Sequence, residues 1–222
     1  MPELSVKFED TINKLLEEKK YSSIRDILVL MAPSDRTYLH SSPLYLFKHR
    51  IVWLMLLMIS ATFTGMIITG FESALAVQVV LTAFIPMLMD KGGNSGSQSS
   101  VTIIRAISLG EIEFHDLPRV FLKEITTALM CGLDLAFVCF GKVMLVDRLL
   151  LGNTDVTTTI AFIVCATMMA TVMVAKTIGC ILPLCAKKLG FDPAVMASPF
   201  ITTIVDALSL LVYFGIAKAL LF

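Results

Sequence analysis

After residue 50 the chain is a series of long apolar stretches joined by short polar links, whereas residues 1–49 mix apolar and polar positions. In that first segment Phe8, Ile12, Leu15 and Leu16 share one helical face, and Ile24, Ile27, Leu28 and Met31 repeat the spacing. Ser23 with Asp26 suits a capped start for the second helix. Pro33 closes that helix, and Pro43 precedes the first apolar stretch. Residues 1–49 therefore read as a short amphipathic helical hairpin, either a plain surface feature or a docking site for another protein.

The apolar stretches predict five helices long enough to cross a bilayer, whose hydrocarbon core of about 30 Å needs roughly 20 residues at about 1.5 Å each. They cover Ile51–Gly70, about Ala74–Met89, about Val120–Val146, about Val156–Leu184 and about Val195–Phe222. The second is interrupted by Pro86 and then by DKGGNSGSQSS, which reads as a break in the helix. Residues 99–119 continue as a polar-flanked helix and turn. The expected fold is all-α and polytopic, with a cytosolic helical segment at 1–49 and a five-helix transmembrane domain at 50–222.

Composition agrees with the pattern. Hydrophobic residues make up 56% of 222 and charged residues 16%, against about 45–50% and about 25% in a globular protein. Mean hydropathy is +0.83. Lys+Arg and Asp+Glu both total 18, and no basic tract points to nucleic acid. Cys131, Cys139, Cys165, Cys180 and Cys185 all fall in apolar stretches without a CxxC pair, as buried thiols do. The N-terminus lacks the apolar core of a cleavable signal, so the first span is expected to direct insertion. Lys48 and Arg50, Arg119 and Lys123, and Lys187 and Lys188 fall on one side of a five-span layout. The opposite loops hold Glu72 and then Asp147, Arg148 and Asp155. The positive-inside bias then places the N-terminus in the cytoplasm and the C-terminus outside.

Charged residues inside spans are costly and suggest function. Asp206 lies well inside the last span, in ASPFITTIVDALSLLVYFG, with no basic residue nearer than Lys218. At about 100° per residue, Ser198, Thr202, Asp206, Ser209 and Tyr213 fall at about 0°, 40°, 80°, 20° and 60°, one polar stripe. Pro199 can kink the start of that helix and free carbonyls. Carboxylates, hydroxyls and carbonyls are the ligands that hard divalent cations seek, and magnesium keeps much of its water. The bland alternative is hydroxyls bonded back to their own helix, with Asp206 against a neighbour.

The second helix points the same way, since irregular backbone at membrane depth belongs in protein or beside a watery cavity. Gly92, Gly93 and Gly96 permit close backbone approach, and Asn94, Ser95, Ser97 and Gln98 offer oxygens and amides without fixed charge. Alone this is also an ordinary Gly/Ser-rich loop. Glu124, Asp134, Lys142 and Lys176 read mainly as structural charges, with Asp134 and Lys176 as a candidate interhelical pair. His40, His49 and His115 form no metal pattern, and no P-loop is present.

PMLMDKGGNSGSQSSVTIIRAISLG with Glu111, and FDPAVMASPFITTIVDALSLLVYF, resemble two signatures of the MgtE-type magnesium channels and transporters. The first matches proline, GGNxGxQ, an arginine and the closing GE of the family's LxxGE. The second matches DPA, TT, an aspartate and YF. The resemblance covers about residues 50–222. It implies a homodimer with a central pathway, where the last-helix aspartate, here Asp206, binds a largely hydrated Mg2+. By position Gly93, Asn94, Ser97 and Gln98 belong to the polar second-helix run, and Ser198, Thr202 and Thr203 to the lining near Asp206. Ser97 and Ser198 stand where some relatives have asparagine. Most members carry a soluble N-domain and paired CBS domains that sense magnesium, for which this chain has no room. INKLLEEKKYSSIRDILVLMAPSD resembles only the opening helices of that N-domain. Two expectations follow: a channel without that gate, or a separate cytosolic protein carrying N and CBS domains and docking on residues 1–49.

The resulting expectation is a homodimeric, multi-pass magnesium channel or facilitated transporter in the cell membrane, in contact with lipid and needing no covalent chemistry. Rivals are transport of another divalent cation such as Mn2+, Co2+ or iron, and a pore subunit dependent on a cytosolic regulator. Further rivals are a non-conducting membrane subunit and an intramembrane aspartyl protease using Asp134 and Asp206. Neither aspartate of that last pair stands in a GxGD context.

Overall fold

A computed structural model describes residues 42–189, 193 and 198–221. The chain falls into two units, Met1–Trp53 and Leu54–Phe222. The hairpin expected within residues 1–41 lies outside the described residues. Among the described residues six α-helices occur in order: α1 (Pro43–Gly70), α2 (Glu72–Val77), α3 (Ile85–Ser108), α4 (Leu117–Gly141), α5 (Thr158–Lys188) and α6 (Ser198–Leu221). No strand occurs among the described residues.

Local chemistry sets the boundaries. The Ser42 hydroxyl accepts from the Tyr45 N–H at 3.3 Å to start α1, and the Thr157 hydroxyl accepts from the Ile160 N–H at 3.3 Å to start α5. Gly110 has φ of 69°, the left-handed conformation that lets the chain turn after α3. A capping box of Glu113 and Asp116 then opens the approach to α4. After Gly141 the chain continues as a π-helical stretch, Lys142–Leu150. Hydrogen bonds there run to the fifth residue back, as from Leu151 N–H to the Val146 carbonyl. The same winding lets Lys142 Nζ meet Asp147, five residues on, at 2.8 and 2.9 Å.

The second apolar helix differs from its expected form. α3 runs unbroken through GGNSGSQSS, and the irregularity lies upstream, where Val79–Phe84 is a 3-10 turn before Pro86. Proline in the first helical turn gives up a donor that has no intrahelical partner anyway, so Pro86 starts α3 rather than interrupting it. Pro199 likewise sits in the first turn of α6.

Helix α5 is the hub, packed against α3, α4 and α6, while α3 and α6 also pack on each other. The main core joins Leu81, Phe84 and Leu88, the first half of α5 including Ile160 and Met168, and Leu210, Tyr213 and Phe214 of α6. A second cluster, Ile103, Ile107, Cys180 and Leu184, closes the other end of α3 and α5. Large apolar side chains face outward on two helices: Met58, Phe63 and Met66 on α1 and Leu122, Met130, Leu133 and Phe137 on α4 are exposed. Among the described residues, three helical segments are long and apolar enough to cross a membrane: Phe114–Leu150, Thr158–Lys188 and Ile201–Leu221. Leu57–Gly70, the second half of α1, is apolar as well. The surface of such a chain suits lipid, where apolar exposure carries no cost.

Candidate ion-binding pocket

From Thr202 to Ser209 the polar stripe on α6 faces α3. At one end, the Tyr213 hydroxyl, fully buried, donates to the Leu81 carbonyl at 2.9 Å, pinning the 3-10 turn before α3. Further along, Ser209 is buried beside Gly92, and the half-buried Thr202 lies beside Gly93. Between them a cavity of about 150 Å³ is lined by Met89, Asp90, Gly93, Asn94, Ser97, Thr202 and Asp206.

Glycine is required here for space. A Cβ on Gly92 would fall 2.7 Å from Thr171 Cγ2 and 3.1 Å from Ser209 Oγ, and one on Gly93 would fall 2.7 Å from Thr202 Cγ2. A Cβ on Gly96 would fall 3.0 Å from Ile201 Cγ2 and 3.2 Å from the Ala175 carbonyl oxygen. From α5, a Cβ on Gly179 would collide with the Gly96 carbonyl oxygen and reach Ser99 Cβ at 3.0 Å. Small residues let helix backbones approach closely in a membrane, where van der Waals packing drives association. That packing outweighs glycine's roughly 1 kcal/mol helix penalty.

Asp206 Oδ1 is buried without a hydrogen-bond partner, as are Ser209 Oγ, Thr171 Oγ1 and Ser100 Oγ. Unsatisfied buried polar atoms are unusual, and a carboxylate oxygen among them demands a partner more than a hydroxyl does. Across the cavity, Asp90 Oδ1 accepts from Asn94 Nδ2 at 2.9 Å and Asp90 Oδ2 from Lys91 Nζ at 2.7 Å. Carboxylates, hydroxyls, an amide and room for several waters, each filling about 30 Å³ in the liquid, suit a hard, partly hydrated cation. No group of three His, Cys, Asp or Glu capable of holding a metal exists among the described residues.

Of the residues singled out in the sequence, Gly93, Asn94, Ser97, Thr202 and Asp206 line this one cavity. Gln98 is exposed on α3 outside the lining, and its backbone carbonyl takes the Thr102 hydroxyl at 2.8 Å. Thr203 faces α1, where Ser60 Oγ donates to it at 3.5 Å. Ser198 begins α6, but its side chain lies outside the described residues. Asp90 was missed. Its position four before Asn94 and seven before Ser97 puts it on their face of α3, a signal masked by reading the segment as a loop.

The expected Asp134–Lys176 pair does not form: Asp134 is exposed on α4 and Lys176 is buried in α5. A different polar node links these helices. Ser99 Oγ donates to Glu124 Oε2 at 2.7 Å and lies 3.3 Å from the Lys176 carbonyl.

The family model of MgtE, described as a divalent cation transporter, matches residues 85–216, from the start of α3 almost to the end of α6. Among curated proteins, the chain is 33% identical over 212 residues to the magnesium transporter MgtE of Thermus thermophilus, covering 96% of this chain and 45% of that protein. It is 36% identical over 170 residues to the Bacillus subtilis protein of the same name, covering 77% of this chain and 36% of that one. With the Enterococcus faecalis protein, also named magnesium transporter MgtE, it shares 29% over 188 residues, or 85% and 40% of the two chains. The chain thus spans less than half the length of these relatives.

Proposed function

Because the chain belongs to the MgtE family of divalent cation transporters, we propose that it conducts Mg2+ across a membrane through a path lined by α3 and α6, with Asp206 as the principal ligand. The observation that carries this reading is the partnerless buried oxygen of Asp206 beside an oxygen-lined cavity. The face of α3 that leads away from the cavity adds support. Asp90, Asn94, Gln98, Thr102 and Arg105 are exposed along it, a polar strip that lipid would not tolerate and that a watery pathway would.

In this reading five helices span the bilayer: α1, α3, α4 with its π-helical extension, α5 and α6. The N-terminus is cytoplasmic and the C-terminus outside. Two copies pair about a twofold axis, bringing two Asp206 carboxylates toward one ion, whose charge offsets their repulsion. Thr202, Gly93, Asn94 and Ser97 contact the ion's water shell, with Thr203, Ser198 and Gln98 on the approach. The membrane potential, worth about 2.3 kcal/mol per charge per 100 mV, drives the divalent ion inward without covalent chemistry. Residues 1–49 dock a separate cytosolic regulator carrying N and CBS domains. A pull-down that recovers the same partners after residues 1–49 are deleted contradicts that last element.

Oxygen ligands also accept Mn2+, so ion identity is tested by competition. In liposomes containing the protein, uptake of Mg2+ should persist in the presence of equimolar Mn2+ or Ca2+. Uptake of Mn2+ or Co2+ exceeding that of Mg2+ would reassign the cargo while leaving the pathway in place.

A further inference from the structure

Lys91 is a cation at the edge of a proposed cation pathway, a placement that repels the cargo unless its charge is spent on something. It is spent on Asp90. The Lys91 ammonium lies 2.7 Å from Asp90 Oδ2, with the two side chains 45% and 56% exposed. Neighbouring residues on a helix point about 100° apart and do not naturally face each other. Asp90 is a cavity-lining residue, on the opposite helix from Asp206. The Asn94 amide holds its other oxygen at 2.9 Å and so orients the carboxylate.

Resting on the reading of this cavity as the conduction path, we propose that Asp90 is a second carboxylate of the path and Lys91 its tethered counter-ion. A permeating divalent cation then engages Asp90 by displacing the Lys91 ammonium. An exposed ion pair holds only weakly and is easily exchanged. A divalent ion at the same distance has twice the Coulomb attraction of the ammonium, and it gains from Asp206 as well. Lys91 therefore sets the ion concentration at which the path fills, and a monovalent ion, with no such advantage, competes poorly against it.

The test is Mg2+ uptake into liposomes as a function of concentration, for wild type, Lys91→Met, Asp90→Asn, the double variant and Asp206→Ala, each checked for an intact assembly by size exclusion. Removing the tethered cation in Lys91→Met should lower the half-saturating concentration several-fold and weaken discrimination against Na+. Asp90→Asn should raise it several-fold while uptake persists. In Asp90→Asn the ammonium has lost its carboxylate and repels the cargo outright, so adding Lys91→Met should shift half-saturation by a clearly different factor than it does in the wild type. A merely structural role for Lys91 would not produce this dependence on the partner. Unchanged half-saturation in both single variants, with Asp206→Ala inactive, overturns the inference and leaves the pathway standing. Normal uptake by Asp206→Ala overturns the pathway and the inference with it. Independent, additive effects of the two substitutions also overturn the tethered counter-ion.

Discussion

Asp206, Ser209 and Tyr213 share one face of α6, yet the fold treats them differently. The Tyr213 hydroxyl is matched by the Leu81 carbonyl, while Ser209 Oγ and Asp206 Oδ1 are left without partners. Tyr213→Phe strands a buried carbonyl, so it should lower stability by about 1–3 kcal/mol, read as a reduced melting temperature in detergent with uptake retained. Thr171 is the contrasting case: fully buried, hydroxyl unpartnered, its methyl against Gly92. Thr171→Val removes an unsatisfied group at similar shape and should leave stability within about 1 kcal/mol of wild type or raise it. A clear loss would mean that the hydroxyl serves a bound water. At this scale Asp206 was legible because a lone carboxylate in an apolar span stands out. Asp90 was not, because its neighbours looked like a loop.

α3 shows why element type was harder to read than element position. Its glycines and serines carry the composition of a loop, and only its neighbours make it a helix. The Cβ that each glycine lacks is the space occupied by Thr171, Thr202, Ile201 and, at Gly179, the Gly96 backbone. Local sequence does not contain that information, since Thr171 and Gly179 lie far along the chain. The largely apolar α5 needed no such help, and its observed span of Thr158–Lys188 lies within a few residues of the expected Val156–Leu184. Two substitutions separate packing from propensity. Gly179→Ala should destabilise by about 1–3 kcal/mol through overpacking against α3. Gly65→Ala on α1, with nothing within 4 Å of the added Cβ, should be neutral or gain up to about 1 kcal/mol of helix propensity. Thermal unfolding of both variants in the same detergent checks the pair, and equal losses would refute the packing account.

For the molecule as a whole, apolar residues face outward on α1 and α4, and the polar groups gather where α3 meets α6. Hydropathy alone made the all-helical, membrane-embedded class legible, because the bilayer selects for long apolar helices. It treated α3 less well: the helix carrying most of the candidate site is too polar to stand with the segments that qualify by length and apolarity among the described residues. A helix with one side packed against protein and another beside water does not look like a lipid-facing span.

The central claim is that the Asp206 carboxylate binds the ion that crosses. Its most direct test is Mg2+ flux into liposomes reconstituted with wild type or Asp206→Ala, with the assembly state of both verified beforehand. The account predicts uptake by the wild type and near-complete loss in an Asp206→Ala protein of unchanged assembly. Undiminished flux in that variant would contradict it.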